Sequence, residues 1–316
     1  MGATQMVRVL RPWHVHLATG TIKAALPFQS ALRHFWRQAF PYRSNPKNDI
    51  GLLVDAARQV QLLHECGFSL RGKIVVEIGT GWLPITPLVY RSAGAASVIT
   101  IDQERLLDKH TLIAAQEYFR QNLPAAVEKF GFDENLLDRQ FVPSDPDASL
   151  EMSLQDLGIR YLAPFDFNDL PDGSADFIVS RTVLEHISPD LLKMVFSNSR
   201  RILREGGALC HSIDMSDHFE HNDKSISRLN FLRYSERVWK ITQLNPQFYQ
   251  NRLRRNEYVS MLQEAGFSVH VVTGSPDMKA KSDLKAMELC SRYADWNPDE
   301  LAILVSTIVA TPAGHG

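Results

Sequence analysis

Cysteine is scarce in this chain of 316 residues. The three cysteines, Cys66, Cys210 and Cys290, lie far apart, and no two of them form a Cys-x-x-Cys pair. An odd and sparse set of cysteines argues against a disulfide framework and offers no zinc signature of the Cys/His kind. The sequence therefore favours a reducing compartment.

Long hydrophobic runs are also lacking. Residues 1–20 contain no apolar core of signal-peptide length, because Trp and His residues interrupt them. The most apolar late stretch, residues 301–310, is too short to span a bilayer and is better interpreted as a buried strand. We therefore expect a cytoplasmic protein without a membrane partner.

Neither sign of charge dominates. Lys and Arg total 34 against 36 for Asp and Glu, so the formal net charge is -2. A near-neutral chain has no long-range attraction for nucleic acid or anionic lipid, and the sequence shows no basic tail. We expect no nucleic-acid partner. Hydrophobic residues make up 44% of the chain, enough for a sizeable core.

Short apolar runs alternate with helical patterns along most of the chain. Helical spacing occupies residues 22–40 and 50–66. Seven apolar runs then predict strands at residues 73–78, 97–102, 159–162, 175–180, 207–213, 267–272 and 301–310. Strands separated by helices predict a doubly wound, mostly parallel seven-stranded α/β sheet. We interpret residues 1–49 as an N-terminal helical extension and residues 50–316 as one domain.

A glycine-bearing turn follows the first predicted strand. Gly79 and Gly81 flank Thr80 at this turn, where the absence of a Cβ lets a ligand approach the backbone closely. About 20 residues later the second strand ends at Asp102, whose carboxylate can accept hydrogen bonds from both hydroxyls of a ribose. A lone Gly-x-Gly is a weak signal, but together with Asp102 it predicts an adenosine site.

Two features separate this turn from a dinucleotide site. Glu77 stands just before the first glycine, and Leu83 or Pro84 fills the position of the third glycine. A carboxylate at this place would repel a pyrophosphate, but it can help to hold an aminoacyl ammonium group. These two features therefore disfavour the hypothesis of a nicotinamide-dependent oxidoreductase.

This combination resembles motif I of the class I S-adenosylmethionine-dependent methyltransferases, whose core pattern is Glu-hydrophobic-Gly-x-Gly. Further segments resemble the family in the same order: the Ala-Pro-Phe-Asp-Phe around Asp166, then residues 175–187, 201–209 and 262–267. The resemblance implies a Rossmann-like methyltransferase fold with S-adenosylmethionine as the cofactor. The cofactor-binding residues that it implies are Glu77, Gly79, Thr80, Gly81, Asp102, Asp166, Phe167 and Ser180.

The connection after the fifth strand is longer than a simple crossover needs. We interpret residues 214–256 as a helical lid inserted into the domain. Its aromatic and arginine content suits a lid over an acidic or planar substrate, although solvated helix faces explain the arginines equally well. The N-terminal helices are interpreted either as the opposite wall of the cleft or as a homodimer contact. Candidate substrate residues are Tyr42, Arg181, Tyr234 and Arg252.

Three histidines are candidates for a general base. His186 follows the fourth predicted strand, His211 lies in the fifth, and His218 comes shortly after it. Imidazole titrates near neutrality, which suits it to accept a proton from an acceptor. Acidic residues surround His218, but their spacing meets no fixed ligand pattern, so we predict no metal site.

The sulfonium methyl of S-adenosylmethionine is already activated, so the enzyme must chiefly hold a nucleophile in line with it. We expect methyl transfer to oxygen or nitrogen of a small molecule. Protein and nucleic-acid acceptors are disfavoured, because Ser180, Arg181 and Thr182 replace the Asn/Asp-Pro-Pro-Tyr type of motif. Three alternatives stay open: non-methylating chemistry on the same cofactor (aminocarboxypropyl transfer or intramolecular cyclisation), an NAD-dependent oxidoreductase, and a non-catalytic cofactor-binding module.

Overall fold

The computed structural model describes residues 13, 14, 17, 46–130, 145, 147–245 and 248–314. The helix predicted over residues 22–40, the candidate Tyr42 and most of the proposed N-terminal extension lie outside the described residues. The second predicted helix, residues 50–66, is confirmed and begins slightly earlier, as helix α1 (Pro46–Glu65).

Seven strands form one sheet in the described part of the chain: β1 (Ile74–Ile78), β2 (Ser97–Ile101), β3 (Ile159–Leu162), β4 (Ala175–Arg181), β5 (Leu203–Asp214), β6 (Phe267–Val272) and β7 (Val305–Pro312). Their order across the sheet is β3-β2-β1-β4-β5-β7-β6. The strands from β3 to β5 are parallel, and β7 runs antiparallel to both of its neighbours. The doubly wound, mostly parallel seven-stranded sheet is confirmed.

Helices cover both faces of the sheet. After α1 they are α2 (Ile85–Ser92), α3 (Lys109–Phe130), α4 (Leu150–Asp156), α5 (Pro189–Ile202), α6 (Glu236–Thr242), α7 (Arg255–Glu264), α8 (Met278–Leu284) and α9 (Pro298–Leu301). The described part of the chain also contains four short 3-10 helices, at Phe167–Asp169, Leu184–His186, His218–His221 and Asn230–Arg233. Within the described residues, no helix is both long enough and apolar enough to cross a membrane.

Alternate side chains of the central strands enter two separate cores. Val75 packs into a cluster with residues of α1, α2 and α3, whereas its neighbour Val76 packs into a cluster with residues of α5 and α7. A central parallel strand is buried on both faces in this way, which explains why the sequences of these strands are mostly apolar.

Two strand boundaries differ from the prediction. The last strand begins at Val305 and not at residue 301, because α9 occupies Pro298–Leu301. Asn297 caps that helix by accepting the N–H of Asp299, and proline follows at the first helical position. Strand β5 begins at Leu203, before the predicted residue 207, and its register with β4 is irregular there.

The order of the strands sets the place of the site. The chain passes outward from β1 to β2 and β3, then returns to β4 on the other side of β1. Crossovers therefore leave the carboxyl ends of β1 and β4 in opposite directions, and in open α/β sheets the resulting crevice is where ligands bind.

Candidate active site

The turn after β1 is held against the end of β2. The N–H of Gly79 donates to the carbonyl of Ile101 at 2.8 Å, and the N–H of Gly81 donates to Oδ2 of Asp102 at 2.9 Å. Both glycines have positive φ, +86° and +63°. A Cβ at Gly79 would clash with the side chain of Val183, whereas at Gly81 it would meet no described atom within 4 Å. The backbone at Gly81 is therefore open to a ligand.

Glu77 is buried in β1 beside this turn. Its Oε2 accepts a hydrogen bond of 2.5 Å from the hydroxyl of Thr100, which itself lies 2.5 Å from the hydroxyl of Thr80. Burial raises the pKa of Glu77 to about 7, although hydrogen bonds from Thr100 and Thr86 oppose the shift. An arriving cation would therefore find a carboxyl group that can ionise near neutral pH.

Asp102 lies just beyond β2, with a half-buried carboxylate. Oδ1 accepts the N–H of Gln103 at 2.7 Å, and Oδ2 accepts the N–H of Gly81. These bonds fix the orientation of the carboxylate. A carboxylate offers about four lone-pair sites, so accepting capacity remains for a ribose hydroxyl.

Asp166 and Phe167 follow β3, at the same edge of the sheet. The exposed Asp166 carboxylate accepts the N–H of Asn168 at 2.8 Å, and the half-buried Phe167 ring packs edge-on against Phe165 at 5.1 Å between centroids. Ser180 is placed differently. It is buried in β4, and its hydroxyl lies 2.8 Å from Nδ1 of His211, which argues against a direct contact with the cofactor.

The groups that follow the carboxyl ends of β1, β2 and β3 form the cofactor edge of the sheet. Their donors and acceptors fit S-adenosylmethionine. A buried carboxyl at Glu77 suits the ammonium group, the open backbone at Gly81 suits close approach, and Asp102 suits a ribose hydroxyl. Residues 53–272, more than half of the chain, match the model of a family described as a methyltransferase domain. The chain belongs to the class I S-adenosylmethionine-dependent methyltransferase family.

Solved structures resemble this methyltransferase at low sequence identity. An S-adenosylmethionine-dependent methyltransferase from Mesorhizobium loti is 16% identical, and the match covers 81% of this chain and 99% of that one with a TM-score of 0.44. The YcgJ protein from Bacillus subtilis is 14% identical over 82% of this chain and 99% of that one, with a TM-score of 0.43. A search of the curated proteins found no match.

A cavity of about 650 Å³ opens at the carboxyl ends of β4 and β5, on the side of α1. Arg181 lines it and forms an ion pair of 2.9 Å with Asp55 of α1. Thr182, the next residue, has a φ of +49°, an uncommon conformation for a residue with a Cβ. Asp214 lines the same cavity from the end of β5. The methyltransferase thus presents paired charges of both signs beside the cofactor edge.

Two of the three candidate histidines come together. His186 lies in the 3-10 helix after β4, and its ring is 5.0 Å from that of His218, which follows β5. Nε2 of His218 lies 3.6 Å from a carboxylate oxygen of Asp214. A smaller cavity of about 210 Å³ adjoins both rings, and the carbonyl of Tyr249 closes one side by contacting His186.

His211 does not join them. It is fully buried in β5, bonded to Ser180 and packed 6.1 Å from the ring of Phe196. Burial lowers its pKa to about 3, so the ring stays neutral. A base must reach the proton that it removes, and a ring without solvent access argues against the catalytic prediction for His211.

The position of Arg252 disagrees with its prediction as a substrate-binding residue. Its guanidinium is buried, donating to the carbonyls of Phe231 and Tyr234 and pairing with Glu236 at 2.6 Å. These contacts all lie within residues 214–256, which argues against the prediction that Arg252 binds the substrate. Arg252 therefore fits neither interpretation of the arginines in this segment, a lid over the substrate or a solvated helix face. The sequence did not predict this, because the spacing of residues does not reveal which side chains are buried.

Tyr234 is likewise engaged inside the insertion. Its ring stacks on Trp239 and lies 5.8 Å from Trp13, in a core cluster separate from the two sheet cores. Of the described substrate candidates, only Arg181 lines the cavity beside the cofactor edge.

Sequence reasoning missed Asp55, Glu185 and Asp214. Glu185 lies within residues 175–187, which resemble the family, but no spacing in the sequence marks its carboxyl group as part of a site. Asp55 stands on the first helix, and no local pattern distinguishes it from a solvated helix residue. Its pairing with Arg181 depends on the packing of α1 against the sheet.

Proposed function

We propose that this methyltransferase transfers the methyl group of S-adenosylmethionine to an oxygen or nitrogen of a small molecule. The observation that carries the proposal is the cavity of about 650 Å³ that Arg181 and Asp214 line beside the cofactor edge. Cavities of roughly 300–1,000 Å³ suit small ligands. The net charge of -2 also favours a small acceptor over a polyanion.

In this proposal, positioning supplies most of the rate. Holding an acceptor in line with an activated methyl can contribute on the order of 7–11 kcal/mol at best. Arg181 would orient the acceptor through its charge. The proton of a hydroxyl or amine acceptor would leave through the cluster of His186 and His218, which faces the smaller cavity.

We also propose that residues 214–256 cap the acceptor cleft. The support is the contact of 2.9 Å between the carbonyl oxygen of Tyr249 and Nδ1 of His186, a residue that follows β4. Residues 1–49 are proposed to be an N-terminal helical extension, whose Trp13 packs against Tyr234 of the insertion. A small-molecule acceptor in the cytoplasm remains our expectation. A homodimer remains an open proposal as well.

The test is a product analysis with the full-length chain. S-adenosylmethionine labelled in its methyl group is incubated with panels of small hydroxyl and amine acceptors, and products are separated by mass spectrometry. The proposal predicts S-adenosylhomocysteine together with a labelled, methylated acceptor. Release of methylthioadenosine would instead support aminocarboxypropyl transfer or cyclisation and overturn the proposal.

A further inference from the structure

Glu185, His186 and His218 bring three metal-binding groups into one small volume. One ligand atom from each side chain lies within 4.8 Å of the other two. The first two residues follow β4, and the third follows β5, so pairing of the two parallel strands assembles the cluster.

Glu185 is the least expected member of this cluster. Its side chain is 1% exposed, and neither carboxyl oxygen has a hydrogen-bond partner among the described residues. An ionised carboxylate without a partner is costly to bury, whereas a buried charge that binds a metal is compensated. Glu185 is thus an unpaired acidic side chain directed at two imidazoles.

The imidazole of His186 is oriented as a metal ligand. Its Nδ1 lies 2.9 Å from the carbonyl oxygen of Tyr249. A carbonyl only accepts, so Nδ1 must carry the proton and Nε2 keeps the lone pair. Metal-binding histidines are commonly fixed by such a bond from the second nitrogen to a backbone carbonyl or carboxylate.

The imidazole of His218 lies beside a carboxylate. Its Nε2 is buried without a hydrogen-bond partner in the described part of the chain, 3.6 Å from the carboxylate of Asp214. Asp214 accepts the N–H of Ser216 at 2.9 Å, which holds the carboxylate in place beside the ring. An acidic neighbour favours a cation at this position.

We propose that Glu185, His186 and His218 bind a divalent first-row transition metal. Two imidazoles and one carboxylate suit zinc, cobalt, nickel or iron(II), whereas magnesium and calcium prefer all-oxygen sites. Three protein ligands leave at least one coordination position open, toward the cavity of about 210 Å³. This site is one that the spacing of the sequence did not predict.

The metal site adjoins the cofactor edge. Val183, two residues before Glu185, contacts the turn at Gly79. A metal here would bind an acceptor oxygen at its open position and lower the pKa of that hydroxyl. Because the imidazoles of His186 and His218 would then use their lone pairs on the metal, the proton would leave to water and not to these two rings. The inference of metal binding itself does not rest on the proposed function, because it concerns the chain without cofactor or acceptor.

The experiment is a titration of the metal-stripped, untagged full chain with Co²⁺, followed by its visible ligand-field absorption. We expect a saturable spectrum at one equivalent, displaced by Zn²⁺ but not by the same concentration of Mg²⁺. His218→Gln and Glu185→Gln should each weaken Co²⁺ binding at least tenfold. The matched control is His270→Gln, which removes an exposed histidine of β6 and should bind Co²⁺ as the unaltered chain does.

Absence of a saturable spectrum in the unaltered chain would overturn the proposal without any variant. Unchanged Co²⁺ affinity in both cluster variants, with circular dichroism showing that they fold, would also overturn it. Co²⁺ binding that is lost in these variants, in a chain that releases methylthioadenosine and no methylated product, would support the metal site and refute the proposed function. The two failures are therefore distinguishable.

Discussion

Burial and the charge of the bound ligand have opposite effects on the pKa of Glu77. Burial raises its pKa to about 7, so near neutral pH much of the ligand-free protein carries an uncharged carboxyl there. A bound ammonium group would stabilise the carboxylate and lower this pKa, so binding below that pH must release a proton. We predict that affinity for S-adenosylmethionine weakens as pH falls from about 7 to about 5.5, by up to roughly tenfold per unit.

Calorimetry in buffers of different ionisation enthalpy measures this proton release directly. The matched variant is Glu77→Gln, which keeps the volume and removes the titration. It should bind more weakly, with little change in affinity over the same pH range. An unaltered chain whose affinity is the same at both ends of the range would refute our electrostatic account of Glu77.

Alanine variants at Gly81 and Gly173 can separate the effect of blocking the ligand from the effect of backbone strain. Its φ is +63° and that of Gly173 is +57°, and at neither position would a Cβ meet a described atom within 4 Å. Both alanine variants should lose about 1 kcal/mol of stability from the left-handed backbone. We predict that only Gly81→Ala also weakens S-adenosylmethionine binding, by at least about tenfold, because only its Cβ enters the space of the ligand. Thermal melts and calorimetry check the two parts, and equal affinities would show that Gly81 does not face the ligand.

The cofactor residues could be predicted because their signal is local. Glu77, Gly79 and Gly81 lie within five positions of one another, and Asp102 ends the next strand. The metal-binding cluster has no such signal. Glu185 and His218 are over thirty positions apart and meet because β4 and β5 pair in parallel, which sequence spacing does not encode.

At the scale of elements, the buried strands were predictable and their ends were not. A strand covered on both faces is largely apolar, as are β1 apart from Glu77 and the middle of β4. The apolar run at residues 301–310 did not distinguish the end of helix α9 from the start of β7. The burial of Arg252 and Arg254 could not be predicted from the sequence either, because arginines at these positions suit an exposed helix face equally well.

Arg254 fixes the insertion to the sheet domain. Its buried guanidinium donates to the carbonyls of Met215, Leu301 and Ile303. Arg254→Met would leave these three acceptors unpaired, and each buried unpaired group costs about 1–3 kcal/mol. We predict a thermal midpoint lowered by more than about 5 °C. The control, Lys279→Met, removes an exposed side chain and should shift the midpoint little, so similar shifts in both variants would contradict this role.

At the scale of the whole molecule, one sheet edge gathers every described group of the proposed mechanism. The strand order reverses between β1 and β4. On one side of this point lie the turn after β1 and Asp102 after β2, and on the other side lie Arg181 and the metal-binding cluster. The cofactor and its acceptor would therefore meet between β1 and β4. Methyl transfer requires this meeting, since the reacting atoms must be in contact and in line.

The most direct test of the account is titration calorimetry of the full chain with S-adenosylmethionine, S-adenosylhomocysteine and NAD in parallel. The account predicts saturable binding of the two sulfur ligands and none of NAD. Asp102→Ala should weaken the sulfur ligands at least tenfold, because hydrogen bonds to a charged acceptor contribute about 1.5–3 kcal/mol, while Asp283→Ala, on the surface helix α8, should not. Binding of NAD alone, or unchanged affinity in Asp102→Ala, would contradict the cofactor site described above.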